Sequence, residues 1–144
     1  MSVQYEKSCG AVVFTRTAEE IRYVIVQSLE GYYGFPKGHC EKNETEEETA
    51  MREITEETGL NVRLIPGFRD VDTHTIPQKP GVMKQIVYFL AEYDHQDVCY
   101  QREELSGACL MTYETAMNAF QWESSKVILT KANDYLSKME INHV

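Results

Sequence analysis

The chain has 144 residues, 42% of them apolar and 26% charged, so it reads as one ordinary globular domain spanning 1–144 and not as a disordered, collagen-like or low-complexity polymer. No stretch approaches the roughly 20 apolar residues of a membrane span, and neither the polar N-terminus nor the last residues, Ile141 to Val144, carry a targeting signal, so the expectation is a cytoplasmic chain. A net charge of −9 makes it a poor non-specific partner for nucleic acid.

Ser8 to Thr15 is rich in small and β-branched residues and predicts a strand. Thr17 to Glu20 is a polar turn, and Ile21 to Gln27 is a second strand that makes a hairpin with the first. Glu30 to Gly38 is punctuated by three glycines and Pro36 and reads as loop. Thr45 to Thr58 predicts a helix with both ends marked. Thr45 is the N-cap, Glu48 completes a capping box, and Gly59 supplies the left-handed residue that stops it. Ala50 and Ile54 form its apolar stripe. Val62 to Ile65 is a short strand, Asp72 to Gly81 a loop, and Gln85 to Tyr93 a strong strand. A charged loop, Asp94 to Glu104, leads to a strand at Ala108 to Met111. Two helices follow, Tyr113 to Phe120 and Ser125 to Met139. The second carries Ile128, Ala132, Tyr135, Leu136 and Met139 at helical spacing. This order predicts a mixed sheet with helices on both faces.

The four cysteines, Cys9, Cys40, Cys99 and Cys109, lack CxxC spacing and read as free thiols without zinc. His74, His95 and His143 read as surface residues.

The charge is local. Glu41, Glu44, Glu46, Glu47, Glu48, Glu53, Glu56 and Glu57 face only Lys42 and Arg52 across residues 41–57. Glu46 to Glu48 are explained as a solvated first turn, where the helix dipole favours negative charge. Glu53, Glu56 and Glu57 are different. At i, i+3 and i+4 they share one face within a turn of about 5.4 Å. Carboxylates that close repel each other, and one takes up a proton unless a cation intervenes. Oxygen ligands without His or Cys select Mg²⁺, Mn²⁺ or Ca²⁺. Arg52 adjoins the group and can hold one Glu by a bidentate bond.

From Gly38 to Leu60 the chain reads Gly, five residues, Glu44, seven residues, then Arg52-Glu53-Ile54-Thr55-Glu56-Glu57-Thr58-Gly59-Leu60. At every defined position this resembles the box of the Nudix hydrolases. Chance would give such a match with odds of roughly one in a billion per starting point. The resemblance implies an α/β/α sandwich around a mixed sheet (α/β in class, equally α+β) and cleavage of a nucleoside diphosphate linked to another group. It implies that Glu53, Glu56 and Glu57 hold Mg²⁺, with Mn²⁺ a substitute, and that a polarised water attacks phosphorus. The base would be a Glu of the box, Glu57, or one from the later loop, Glu103 or Glu104. Arg52 would support the site, Glu44 would be structural, and Gly38 and Gly59 would be backbone requirements.

The flanks narrow the resemblance. Gly34-Phe35-Pro36-Lys37-Gly38-His39, Gly67-Phe68, the run Ile86 to Glu92, and Glu104 ahead of Glu114-Thr115-Ala116 are similar to the asymmetrical diadenosine tetraphosphate hydrolases. Leu105 stands where some of those relatives have His. This implies a small nucleotide substrate split to ATP and AMP. A tetraphosphate bridge carries about four negative charges, which an acidic chain must counter with metal and local bases. Lys37, His39, Lys79 and Lys84 are placed to do so. Tyr88 matches the aromatic platform for adenine, with Tyr32, Tyr33 and Trp122 as further choices and Trp122 also suited to closing the core. Other Nudix activities, on oxidised nucleoside triphosphates or 5′-triphosphorylated RNA, are the nearest rivals. A non-catalytic nucleotide sensor is the rival of another class. The oligomeric state stays open.

Overall fold

Alternation along the first strand decides the architecture. Cys9, Ala11 and Val13 point to one face and Val12 and Phe14 to the other, and all five are buried. A strand apolar on both sides needs cover on both sides. The computed structural model, which describes residues 4–141, shows where that cover comes from. In chain order the elements are β1 (Gln4–Arg16), β2 (Ile21–Ser28), β3 (Tyr33–Gly34), β4 (Lys37–His39), α1 (Glu46–Thr58), β5 (Arg63–Leu64), β6 (Asp70–Thr75), β7 (Val82–Glu92), β8 (Leu105–Met111), α2 (Tyr113–Ala119) and α3 (Glu123–Ile141). The ends of the expected 1–144 domain, including His143, lie outside the described residues.

The sheet runs β3-β2-β1-β7-β5, with β4 on β1, β6 on β7 and β8 on β2. β1 and β7 are parallel from Gln4↔Val82 to Phe14↔Glu92, while the other pairs are antiparallel. The sheet is therefore mixed, as expected. α1 covers one face, where Ala50 and Ile54 meet Cys9, Ala11, Val13, Val87 and Phe89. α2 and α3 cover the other, where Ala116, Phe120, Ile128, Leu129, Ala132 and Leu136 meet Val12, Phe14, Ile86, Tyr88 and Leu90. Tyr23 on β2 ties this layer down, donating a 2.6 Å bond to Asn133 Oδ1 on α3.

Local signals set the ends of α1. Thr45 Oγ1 accepts from Glu48 N, and the Glu48 carboxylate accepts from Thr45 N, which completes the capping box. Gly59 sits at φ 76° and closes the helix through its N–H to Thr55 O.

Two expected loops contain strands. Tyr33–Gly34 and Lys37–His39 pair with β2 and β1, and Asp70–Thr75 pairs along β7 from Asp70↔Tyr88 to Thr75↔Met83. Backbone pairing to a long neighbour, not side-chain pattern, makes these strands. Trp122 does not close the core. It is 51% exposed and packs against the ring of Tyr32, with centroids 4.6 Å apart.

Candidate active site

The helix face of α1 presents two carboxylates, Glu53 and Glu57, to β4. Glu57 is 6% exposed and accepts a 2.8 Å bond from the Lys37 backbone N–H. Glu53, one turn earlier, lies over Gly38. A Cβ there would fall inside its carboxylate, far closer than the 3.0 Å that real Cβ contacts keep. The box glycine is therefore a space requirement, because its missing side chain is where Glu53 sits. Glu56 is exposed.

Arg52 organises the flank. It makes a bidentate pair with Glu44, Nε to Oε2 at 2.7 Å and Nη2 to Oε1 at 3.0 Å. Nη1 reaches Glu53 at 2.8 Å and Glu56 at 3.2 Å, and Nη2 also donates to the His39 carbonyl at 3.0 Å. The bidentate partner is thus Glu44, outside the acidic triplet. Glu44 accepts as well from Thr49 Oγ1 and Glu41 N, and these bonds, Arg52's first, hold its carboxyl down to about 2. Its role is to brace Arg52.

Charge in the site is crowded. Burial pushes Glu57 up to about 7, with the charges of Glu53 and Glu104 adding to it and Lys37 opposing. Burial also raises Glu53, assisted by Glu56 and Glu104 and opposed by Arg52. Lys37 is pushed down to about 8, first by burial and then by Lys84, while Glu57 and Glu53 oppose. The structure thus gathers Lys37, Gly38, Glu53, Glu57, Lys84 and Glu104, with Arg52 and Glu56 on the rim.

Other expected residues stand apart. Glu103 and Glu104 are both exposed, and of the two it is Glu104 whose charge is among the leading ones acting on Glu53 and Glu57. Lys79 is exposed and pairs with Glu6 at 2.5 Å, and the charges of His39 and Lys84 also reach Glu6. His39 is exposed and enters the site through its carbonyl. Tyr88 is 6% exposed, packed edge-on to Phe35 in the core cluster, where burial first, and then the charges of Asp72 and Glu57, push its hydroxyl up. Its register opposite Gly10, in mid-sheet, places its ring there and not in solvent. Glu46 is also more than a solvated residue. Arg69 binds it bidentately at 2.9 Å on both oxygens, and Lys7 pairs with it too.

Among the described residues no three carboxylate, imidazole or thiol groups converge on a common metal position. The reason is visible in the bonds. Arg52 draws Glu53 and Glu56 to its own side, and Glu57 is turned to the Lys37 N–H. The donor set nevertheless fits a hard divalent cation. It is all oxygen, its members repel one another, and burial raises the proton affinity of the most buried, Glu57, with the charges of Glu53 and Glu104 adding to it.

The NUDIX domain family model matches residues 5–131. The chain is 29% identical over 142 residues to the asymmetrical bis(5′-nucleosyl)-tetraphosphatase of Mus musculus, covering 90% of this chain and 95% of that one. The enzyme of the same name from Sus scrofa is 28% identical over 145 residues, covering 92% and 97%. Among solved structures, an Ap4A hydrolase of C. elegans in a binary complex superposes with a TM-score of 0.84 at 22% identity, covering 92% of this chain and 98% of that one.

Proposed function

This chain belongs to the NUDIX family of hydrolases, and we propose that within the family it cleaves a dinucleoside polyphosphate asymmetrically, diadenosine tetraphosphate to ATP and AMP. The observation that carries this reading is end-to-end similarity to two asymmetrical tetraphosphatases, joined to a site where two lysines meet a carboxylate cluster.

Glu53, Glu56 and Glu57 would hold Mg²⁺ or Mn²⁺. Once bound, the cation supplies neutralisation of phosphate charge and polarisation of a water. The chain's own residues do the rest. Lys37 and Lys84 place positive charge beside the carboxylates and receive the polyphosphate. Arg52, braced by Glu44, releases or retains Glu53 and Glu56 as the ligands require. Glu104 takes the proton of the attacking water. It is preferred over Glu103 because its charge acts on both Glu53 and Glu57, and over Glu57 because Glu57 is buried and committed to the Lys37 N–H.

The test is a substrate panel with purified protein and Mg²⁺: diadenosine tetraphosphate, diadenosine triphosphate, an oxidised dGTP and triphosphorylated RNA. The highest kcat/KM should fall on the tetraphosphate, with E104Q lowering kcat by about 10²-fold to 10⁴-fold. A preference for the oxidised triphosphate would discard the substrate and keep the family. Nucleotide binding with no turnover of any compound would favour the sensor.

A further inference from the structure

Cys9 and Cys40 take no part in the chemistry above, yet their sulfurs lie 3.2 Å apart. The sheet register explains the approach. Ser8 pairs with His39 and Cys9 with Gly38, so Cys9 and Cys40 are diagonal neighbours on one face of the β1–β4 ladder. Cys9 is fully buried in the cluster that contains Ala50 and Ile54 of α1, and Cys40 packs half-buried against it. The Lys7 carbonyl accepts from Cys40 N at 3.1 Å, and the Lys7 ammonium, paired with Glu46, lies within reach of both thiols.

We propose that Cys9 and Cys40 form a reversible thiol–disulfide switch that sets the position of the β4–α1 connection and through it the activity of the acidic site. The oxidant is a peroxide. Cys40, the partner that solvent reaches, attacks one peroxide oxygen as its thiolate. The O–O bond breaks, the Cys40 sulfur becomes a sulfenic acid, and the departing hydroxide takes the Cys40 proton as water. The Cys9 sulfur then attacks the Cys40 sulfur, the S–O bond breaks, and the second water leaves with the Cys9 proton. Two thiols and one hydrogen peroxide give one disulfide and two waters, with two electrons passing from sulfur to oxygen. Burial, then the bond to Cys40, pushes the Cys9 thiol up to about 12, which suits the resolving partner better than the entry point.

The link to the site is short. Forming an S–S bond of about 2.05 Å from a 3.2 Å separation brings the Cys9 and Cys40 sulfurs about 1 Å closer, a movement that residue 40 on the half-buried side takes up. The neighbouring His39 carbonyl is one of the acceptors that fix Arg52, whose guanidinium also holds Glu44, Glu53 and Glu56. A shift of that size in supporting groups lowers activity by about tenfold or more.

The full chain is treated with hydrogen peroxide, its remaining thiols are alkylated, and its peptides are mapped by mass spectrometry. We expect Cys9 linked to Cys40, with Cys99 and Cys109 alkylated. kcat/KM should fall by about tenfold and return with dithiothreitol. C40S should keep the reduced activity and lose both the link and the sensitivity. Absence of the link, a link with unchanged activity, or equal inhibition of C40S would each overturn the switch. Its activity readout rests on the hydrolase reading, so Mn²⁺ affinity by calorimetry is measured alongside. A reduced chain that hydrolyses nothing fails that reading alone, and the switch then stands or falls on whether the link weakens Mn²⁺ binding in the wild type but not in C40S.

Discussion

Gly38 and Gly10 are two crowded glycines with opposite consequences. In G38A the atoms nearest the new methyl are those of the Glu53 carboxyl, the far end of a flexible side chain. The carboxylate must retreat by about 1 Å or more, breaking its 2.8 Å bond to Arg52. That loss of about 1 kcal/mol is offset by about 0.5–1 kcal/mol from replacing glycine in a strand. Stability should therefore stay within about 1 kcal/mol of wild type, while a displaced ligand about 1 Å from its place costs about 100-fold in kcat/KM. In G10A the methyl meets the Pro36 carbonyl and the Lys37 Cα at 2.8 Å, backbone that cannot swing away. It forces β4 off β1, with a loss of about 1–3 kcal/mol. Urea unfolding and steady-state kinetics on both variants separate the two. A G38A protein with wild-type kcat/KM would refute the placement of Glu53 in the chemistry. A G38A protein as unstable as G10A would refute the reasoning about which atoms can yield.

R52K cannot reproduce the bidentate pair with Glu44 together with the bonds to Glu53 and His39. We expect a circular dichroism spectrum like wild type and a kcat/KM lowered by about tenfold or more. Glu46 is held down to about 2 by Arg69 and then Lys7, against about 4.5 when unfolded, so its carboxylate stabilises the fold above pH 4.5 and that contribution fades as pH falls towards 2. E46Q should thus be less stable than wild type at pH 7, with the gap closing between pH 4.5 and 2 in thermal melts. An undiminished gap at low pH would contradict the assignment. Y23F removes the donor to Asn133 and leaves a half-buried acceptor unpaired, so urea unfolding should show a loss of about 1–3 kcal/mol.

What could be read in the sequence was local or repeated. The ends of α1 follow from Thr45, Glu48 and Gly59 because caps act within one turn. The two-faced core follows from alternation along Ala11 to Phe14 and Ile86 to Ala91. Helical spacing alone brings Glu53, Glu56 and Glu57 to one face of α1 with Arg52 beside them, and the box adds Gly38 to the group. What was hidden depends on register between distant segments. β6 carries Asp72, Thr73, His74 and Thr75, which look like loop, and is a strand only because β7 offers it a ladder. Tyr88 resembles a stacking residue until its pairing with Gly10 places it in mid-sheet under α2 and α3. The bond from Lys37 N–H to Glu57 spans twenty residues and is set by β4, a strand of three residues with no periodicity to read. The Cys9–Cys40 approach has the same origin, since neither spacing nor composition marks it.

The most direct measurement is the product balance from diadenosine tetraphosphate in Mg²⁺, resolved over a time course for wild type and E57Q. We expect ATP and AMP in equal amounts from wild type, no ADP, and loss of both products in E57Q. Two molecules of ADP per substrate, or unchanged turnover by E57Q, would contradict an asymmetrical cut at a centre built on α1 and β4.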